Sequence, residues 1–377
     1  MQDLATARPL NAPVALYPTE YDWKLPTVYS WNLGLQVKLP YEFTLDVAYV
    51  GSESWNLLQQ RPLNAPPYGT AYLASSQDPT RGRTCAGCSA LSPTPGGNAL
   101  PTDFLRPYQG YGTITLWEFK ACSDYKALQT TISRRFTKGL MLSASYTRSQ
   151  AKGTVNDDFG TARIDGKDRE ANYGILAIDR PHNFVMGFVY QTPPVASGAL
   201  GGLANDWQLS GAYMFMSGNP YAISYNIPGI TATNLTGSDQ GARIVLVGDP
   251  GPGWSSDPYR QINAAAFAPP QPGSTGMESP RYFVYAPWVN NLNLSVSKFF
   301  PLGGRRRLEV RLDAFNALNH TQFAAVNSTV NFKSLTDPTI TNLPYDANGN
   351  LVNMNGIGTV SGVRPPRQLQ LVTRFSF

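Results

Sequence analysis

The chain has 377 residues, a net charge of +5 and only 15% charged side chains, beside 34 Gly, 31 Pro, 20 Tyr, 17 Phe and 7 Trp. Soluble domains average about 25% charged residues, so much of this surface is not one that meets water through charge. No apolar run approaches the ~18 residues of a membrane helix, which excludes a helical membrane protein, and the scattered Lys and Arg give no ground for a nucleic-acid partner.

The organising feature is a period of two. Ser30 to Leu39 places Trp31, Leu33, Leu35, Val37 and Leu39 on one face and Ser30, Asn32, Gly34, Gln36 and Lys38 on the other. After Pro40 and Tyr41, the run Glu42 to Val50 repeats the pattern, and the short connection predicts a hairpin. The unit returns at 127–136 and 139–148, at 182–190 and 205–215, at 289–299 and 306–316, and last at 367–377. Nine strands are therefore predicted, each near the ~9 to 11 residues that cross a bilayer as tilted strands.

Between the pairs lie 52–124, 149–181, 217–288 and 317–365, all rich in Pro, Gly, Asn, Asp and Ser. Loops beyond ~15 residues are uncommon in compact domains, whereas transmembrane barrels alternate short periplasmic turns with long extracellular loops. The predicted fold is therefore all-β: part of an antiparallel transmembrane β-barrel of about nine strands. In this orientation Phe43, Phe136, Tyr190, Trp207, Phe299 and Phe375 mark the inner rim. Trp31, Tyr49, Tyr146, Tyr213 and Trp288 mark the outer one. Lys298, at a strand end on the apolar parity, is expected to snorkel to the headgroups. An odd strand count ending at the periplasm makes residues 1–28 an expected extracellular loop after a strand not contained here. Residues 29–377 are then the C-terminal portion of a larger barrel.

The strand sequences resemble the barrel of Oar-like TonB-dependent receptors in YSWNLGLQVKLP, LDVAYVGS, ALQTTISRRFTKGL, SASYTRSQ, DRPHNF, FNALNHTQF and the terminal RQLQLVTRFSF. The matches span about Tyr29 to Phe377, without the loops. The resemblance implies a receptor in the outer membrane of a Gram-negative type bacterium that takes up a bulky, unidentified ligand. Its expected partners are outer-membrane lipid, the barrel-assembly machinery, and the TonB system through an N-terminal plug absent from the matched stretches. A passive porin and a surface adhesion protein without transport are the competing readings.

No HExxH, GxSxG or GxxxxGK pattern occurs, so no catalytic, cofactor-binding or metal residue is assigned and no enzyme is expected. His182 and His320 flank strands and are read as rim hydrogen-bonding groups. Cys85, Cys88 and Cys122 suit one loop disulfide in an oxidising compartment, the pairing open. Arg135, Glu309, Arg311, Asp313 and Arg374 fall on the polar parity and read as lumen-facing charges. DANGN at 346–350 lacks the EF-hand spacing and reads as an Asx-type turn. Tyr68, Tyr72, Trp254 and Tyr259 either line a mouth or pack loop on loop. Phe375 and Phe377 share one face of the last strand and resemble the terminal signal read by barrel-assembly machinery.

Overall fold

The computed structural model describes residues 13–85, 88–157, 160–162, 172–251 and 255–377. Its frame is nine long strands: β1 Thr27–Lys38, β2 Phe43–Pro62, β3 Tyr111–Thr137, β4 Leu140–Gly153, β5 His182–Gln191, β6 Trp207–Met216, β7 Val289–Pro301, β8 Arg307–Phe315 and β9 Gln368–Ser376. Each pairs antiparallel with its neighbours in sequence, and two short strands, Val14–Leu16 beside β3 and Gly174–Ile175 beside β4, bring the sheet to eleven. All nine predicted strands form where the alternation placed them. β1 and β9 are the two ends of the path and do not pair with each other, so the sheet is open.

Short turns set the register. Between β3 and β4 the chain reverses at Lys138 and Gly139, both at positive φ (50° and 80°), as tight hairpins require. The resulting registry aligns apolar parity across the sheet. One row reads Leu142, Phe188, Gly211, Leu294, Ala314, Leu369 from β4 to β9. Gly211 is required there: a Cβ would lie 2.7 Å from Phe188 and 2.9 Å from Leu294, whose side chains close over it. A second row reads Leu140, Tyr190, Leu209, Val296, Leu312, Leu371. This face is left uncovered, with Leu33 78%, Leu371 71%, Leu35 66%, Leu312 45% and Leu209 38% exposed. The opposite face carries polar cross-strand pairs, such as Gln36 donating to Asp46 at 2.6 Å and the Thr131 and Ser145 hydroxyls at 3.0 Å.

One feature differs from the expectation. The stretch 52–124 is not all loop, because β2 runs on to Pro62 and β3 begins at Tyr111. A bulge between Ser54 and Leu58 shifts the register, which swaps side-chain parity and hides the extension from a search for strict alternation. Within residues 13–28 the strand Val14–Leu16 lies parallel to β3, and Glu20 pairs with Lys120 at 3.1 Å.

A buried core lies outside the long sheet. Ile223, Ile227, Ile244, Ile262, Phe267 and Val284 of the 217–288 connection pack with Val330, Phe332 and Ile357 of the 317–365 connection. The short strands Ser224–Asn226 and Thr329–Asn331 pair in parallel and tie the two together. The first connection joins them, with Gly69 and Ala71 amides donating to the Thr236 and Gly237 carbonyls at 2.7 and 2.9 Å. Arg106 reaches Asp239 at 3.0 Å. The long connections thus form an interlocked cap rather than separate loops.

Candidate functional site

The cap carries a cleft of about 500 Å³ lined by Tyr259, Arg260, Asn263, Leu343, Pro344 and Tyr345, among others. An Asx turn shapes one wall: the Asp257 carboxylate accepts from the Tyr259 amide at 2.8 Å and from the Tyr345 hydroxyl at 2.9 Å. The buried Gln261 side chain fixes the turn by donating to the Ser255 and Asp257 carbonyls at 3.0 and 2.6 Å. The Arg260 guanidinium lies 4.1 Å from the Tyr345 ring centroid, and the Tyr259 and Tyr345 rings meet edge to face at 6.4 Å. Burial and the Asp257 carboxylate push the Tyr345 hydroxyl above its ordinary pKa, so it stays a neutral donor. Chemically, this is a wall of two aromatic faces, a guanidinium and amide groups, suited to a ligand with flat and polar surfaces.

Sequence reasoning named Tyr259 but not Arg260 or Tyr345. Tyr345 stands 86 residues from Tyr259, and no local pattern links them; the DPYR turn at 257–260 was the one readable cue. Tyr72 does the other job foreseen for loop aromatics, donating to the Asn234 carbonyl at 3.0 Å between two connections. Trp254 lies outside the described residues.

A second missed group fastens the β2/β3 extension. Glu118 is fully buried and accepts from Gln59 and Arg61, each at 2.9 Å, with Lys120 at 3.2 Å. Burial pushes its carboxyl up, but the Gln59 and Arg61 bonds and the Arg61 charge outweigh that and hold it below the usual range.

On the polar face the charges expected to face the lumen form a short ladder. The Arg311 guanidinium donates to the buried Asp313 at 3.1 Å, Ser295 also donates to Asp313, and Ser297 donates to Glu309 at 3.2 Å. Arg374 stands opposite Glu309 in the register. Arg135 is exposed next to the β3–β4 turn, where the register breaks between Arg134 and Thr137.

One comparison decides what such a sheet belongs to: the family described as outer membrane beta barrel domain matches residues 2–370. The chain belongs to that family. It is a protein of the outer membrane, and its uncovered apolar face meets lipid. No curated protein matches it. Solved structures similar to it include the outer membrane transporter YddB from Escherichia coli, at 9% identity over 88% of this chain and 33% of that one, TM-score 0.41. A ferric enterobactin receptor, PfeA, from Pseudomonas aeruginosa shows 11% identity over 94% and 32%, TM-score 0.40. The pyoverdine receptor FpvA of the same organism shows 11% over 93% and 30%, TM-score 0.39. The chain spans about a third of the length of these solved structures.

For this outer-membrane barrel chain, the rims explain the remaining residues. At the outer rim the Trp31 indole lies over Gly51, where a Cβ would come within 2.3 Å of it. His182 begins β5; its Nδ1 is 2.8 Å from the Tyr146 hydroxyl, its Nε2 is 3.1 Å from Arg148, and its ring stacks on Trp288 at 5.5 Å. His320 is exposed beyond β8, with its amide donating to Asn316 at 3.2 Å. Lys298 departs from the snorkelling expectation. It is 5% exposed, bonds the Asn205 carbonyl and lies 5.3 and 5.6 Å from the Phe300 and Trp207 rings, which supply what headgroups would have. Phe299 also departs: it pairs with Glu309 on the polar parity under Arg307, 4.4 Å from the guanidinium, and Phe300 takes the lipid side. Phe375 is 53% and Phe377 94% exposed, their rings 6.2 Å apart. Cys85 and Cys88 are joined, and Cys122 is buried in β3. At DANGN the Asp346 carboxylate accepts from the Asn348 and Asn350 amides at 2.9 and 2.8 Å, an Asx-type turn.

Proposed function

We propose that the chain is the C-terminal portion of the barrel of a TonB-dependent receptor that takes up a bulky ligand, TonB acting through an N-terminal plug encoded outside these residues. The observation that carries this reading is the interlocked cap with its own core. A general porin needs a mouth open to diffusion, whereas a receptor needs a folded surface able to select one ligand before admitting it. The cleft beside Tyr259, Arg260 and Tyr345 offers such a surface. Residues 13–28, anchored along the β3 extension, belong in this reading to the extracellular layer. The joined Cys85 and Cys88 and the buried Cys122 are then extracellular as well.

The open sheet supports further strands. In hydrocarbon every unpaired backbone N–H and C=O costs several kcal/mol, so the free edges of β1 and β9 call for partners, and bacterial barrels close. The Oar-like subtype rests on the strand motifs of the sequence. Two measurements on the intact gene product test the proposal. In a planar bilayer it should show no steady conductance, and in cells it should cross-link to TonB. Steady open-channel current, or no cross-link in cells where a known receptor cross-links, sinks the reading in favour of a porin or an adhesion protein.

A further inference from the structure

The lipid face holds a cavity of its own at the outer rim. About 950 Å³ in volume, it is lined by Phe215, Trp288, Asn290, Leu318, His320 and Phe323, among others, and lies within the ~300–1,000 Å³ range of pockets that enclose a ligand. Phe215 and Asn290 are register partners on the same parity as Leu209, Leu292 and Leu294. The cavity is therefore continuous with the surface that meets lipid, and the 317–365 connection supplies its far wall. Its apolar wall passes directly into a basic group. The Trp288 ring is 4.7 Å from Phe215 and 5.5 Å from His182, and His182 is 3.1 Å from Arg148. Arg148 is exposed, and among the described residues it makes no ion pair with a carboxylate.

A mainly apolar cavity opening from a lipid-facing band, with a guanidinium that has no carboxylate partner among the described residues at the level of the aromatic girdle, matches an acyl chain joined to an anionic headgroup. Polar side chains such as Ser255, Asn319, Thr321 and Gln322 also line it, but most of its surface is apolar. We infer that this cavity seats one acyl chain of a phosphorylated outer-leaflet glycolipid, with a phosphate on Arg148 beside His182. The inference rests on the long connections being extracellular. Labelling of N348C, in the exposed Asp346 turn, by an impermeant reagent on intact cells checks that orientation separately.

The intact gene product, taken from outer membranes into phosphatidylethanolamine vesicles, is titrated with lipid A, dephosphorylated lipid A and phosphatidylglycerol. Assembly of each variant is confirmed by its heat-modifiable migration. Wild type should bind lipid A in preference to phosphatidylglycerol. R148Q should weaken lipid A binding about tenfold or more, the worth of one charge-assisted hydrogen bond, and leave the dephosphorylated lipid unchanged. L318W, which fills the cavity from a position 65% exposed, should weaken both glycolipids. Equal binding of lipid A and phosphatidylglycerol by wild type, or wild-type affinity for lipid A in either R148Q or L318W, overturns the inference.

Discussion

Phe332→Ala tests whether the cap is one cooperative unit standing apart from the barrel. Phe332 is 1% exposed within the nine-residue buried cluster, and its amide donates to the Asn226 carbonyl at 2.9 Å across the two connections. Truncating a buried Phe costs about 3–5 kcal/mol from lost burial and the cavity left behind. At roughly 1.4 kcal/mol per factor of ten, cap opening should become a hundredfold or more easier. The backbone bonds are untouched by the substitution, so their loss reports opening rather than deletion. Hydrogen exchange is the assay. Amides of Asn331, Phe332 and Ile357, which are bonded within the cap, should lose protection together with those of Ser224 to Asn226. Amides of β6 and β7 should keep theirs, because local units open independently of the global fold. Phe332→Leu, closer in volume, should cost under about 1.5 kcal/mol. Unchanged protection in the cap, or equal loss in β6 and β7, would refute the idea of a separately cooperative cap.

Three further outcomes are expected. Gly218→Ala should loosen the base of the 217–288 connection by about 3 kcal/mol, at the upper end of overpacking costs, because a Cβ there would sit 1.9 Å from the Ala286 carbonyl oxygen, which is backbone and cannot rotate away; faster exchange of the Ala286 amide checks it. Glu118 has a folded pKa below its ordinary 4.5, so its contribution is present above that value and lost as pH falls through the lowered one. Glu118→Ala should weaken the β2/β3 extension by about 3 kcal/mol at neutral pH, the low end for a broken buried pair since Arg61 and Lys120 are partly exposed; exchange at 57–62 and 115–121 should then lose its acid dependence, and a persisting acid transition would assign it elsewhere. Deleting Phe377, 94% exposed and touching Phe375, should cut the amount of assembled protein sharply while leaving the melting of what assembles nearly unchanged; undiminished yield would leave Phe377 only a rim role.

The strands were legible because their cause is local. A strand between lipid and water is forced to alternate at every second residue, so Leu33, Leu35 and Val37 announce their face without knowledge of any neighbour. Registry then followed from short turns such as Lys138 and Gly139. Where a non-local condition intervened, the reading failed. The bulge at Ser54 to Leu58 hid a long extension whose buried charge, Glu118, makes sense only beside Gln59 and Arg61, more than fifty residues away. Lys298 kept its face but not its expected partner, and Phe299 fell on the polar side, because the Asn205 carbonyl and the Arg307 guanidinium were available in space, not in sequence.

The cap shows the division most clearly. Its core draws Ile223, Ile244 and Phe267 from one connection and Val330, Phe332 and Ile357 from another. These apolar residues are isolated among Pro, Gly and Asn and follow no period, because an irregular core is satisfied by contacts between distant segments rather than by a repeating solvent boundary. Sequence by itself determined a membrane-facing sheet of nine strands and its two faces. Only the tertiary structure decided that the long connections interlock over it, since which distant side chains meet depends on how the whole sheet brings the strand ends together.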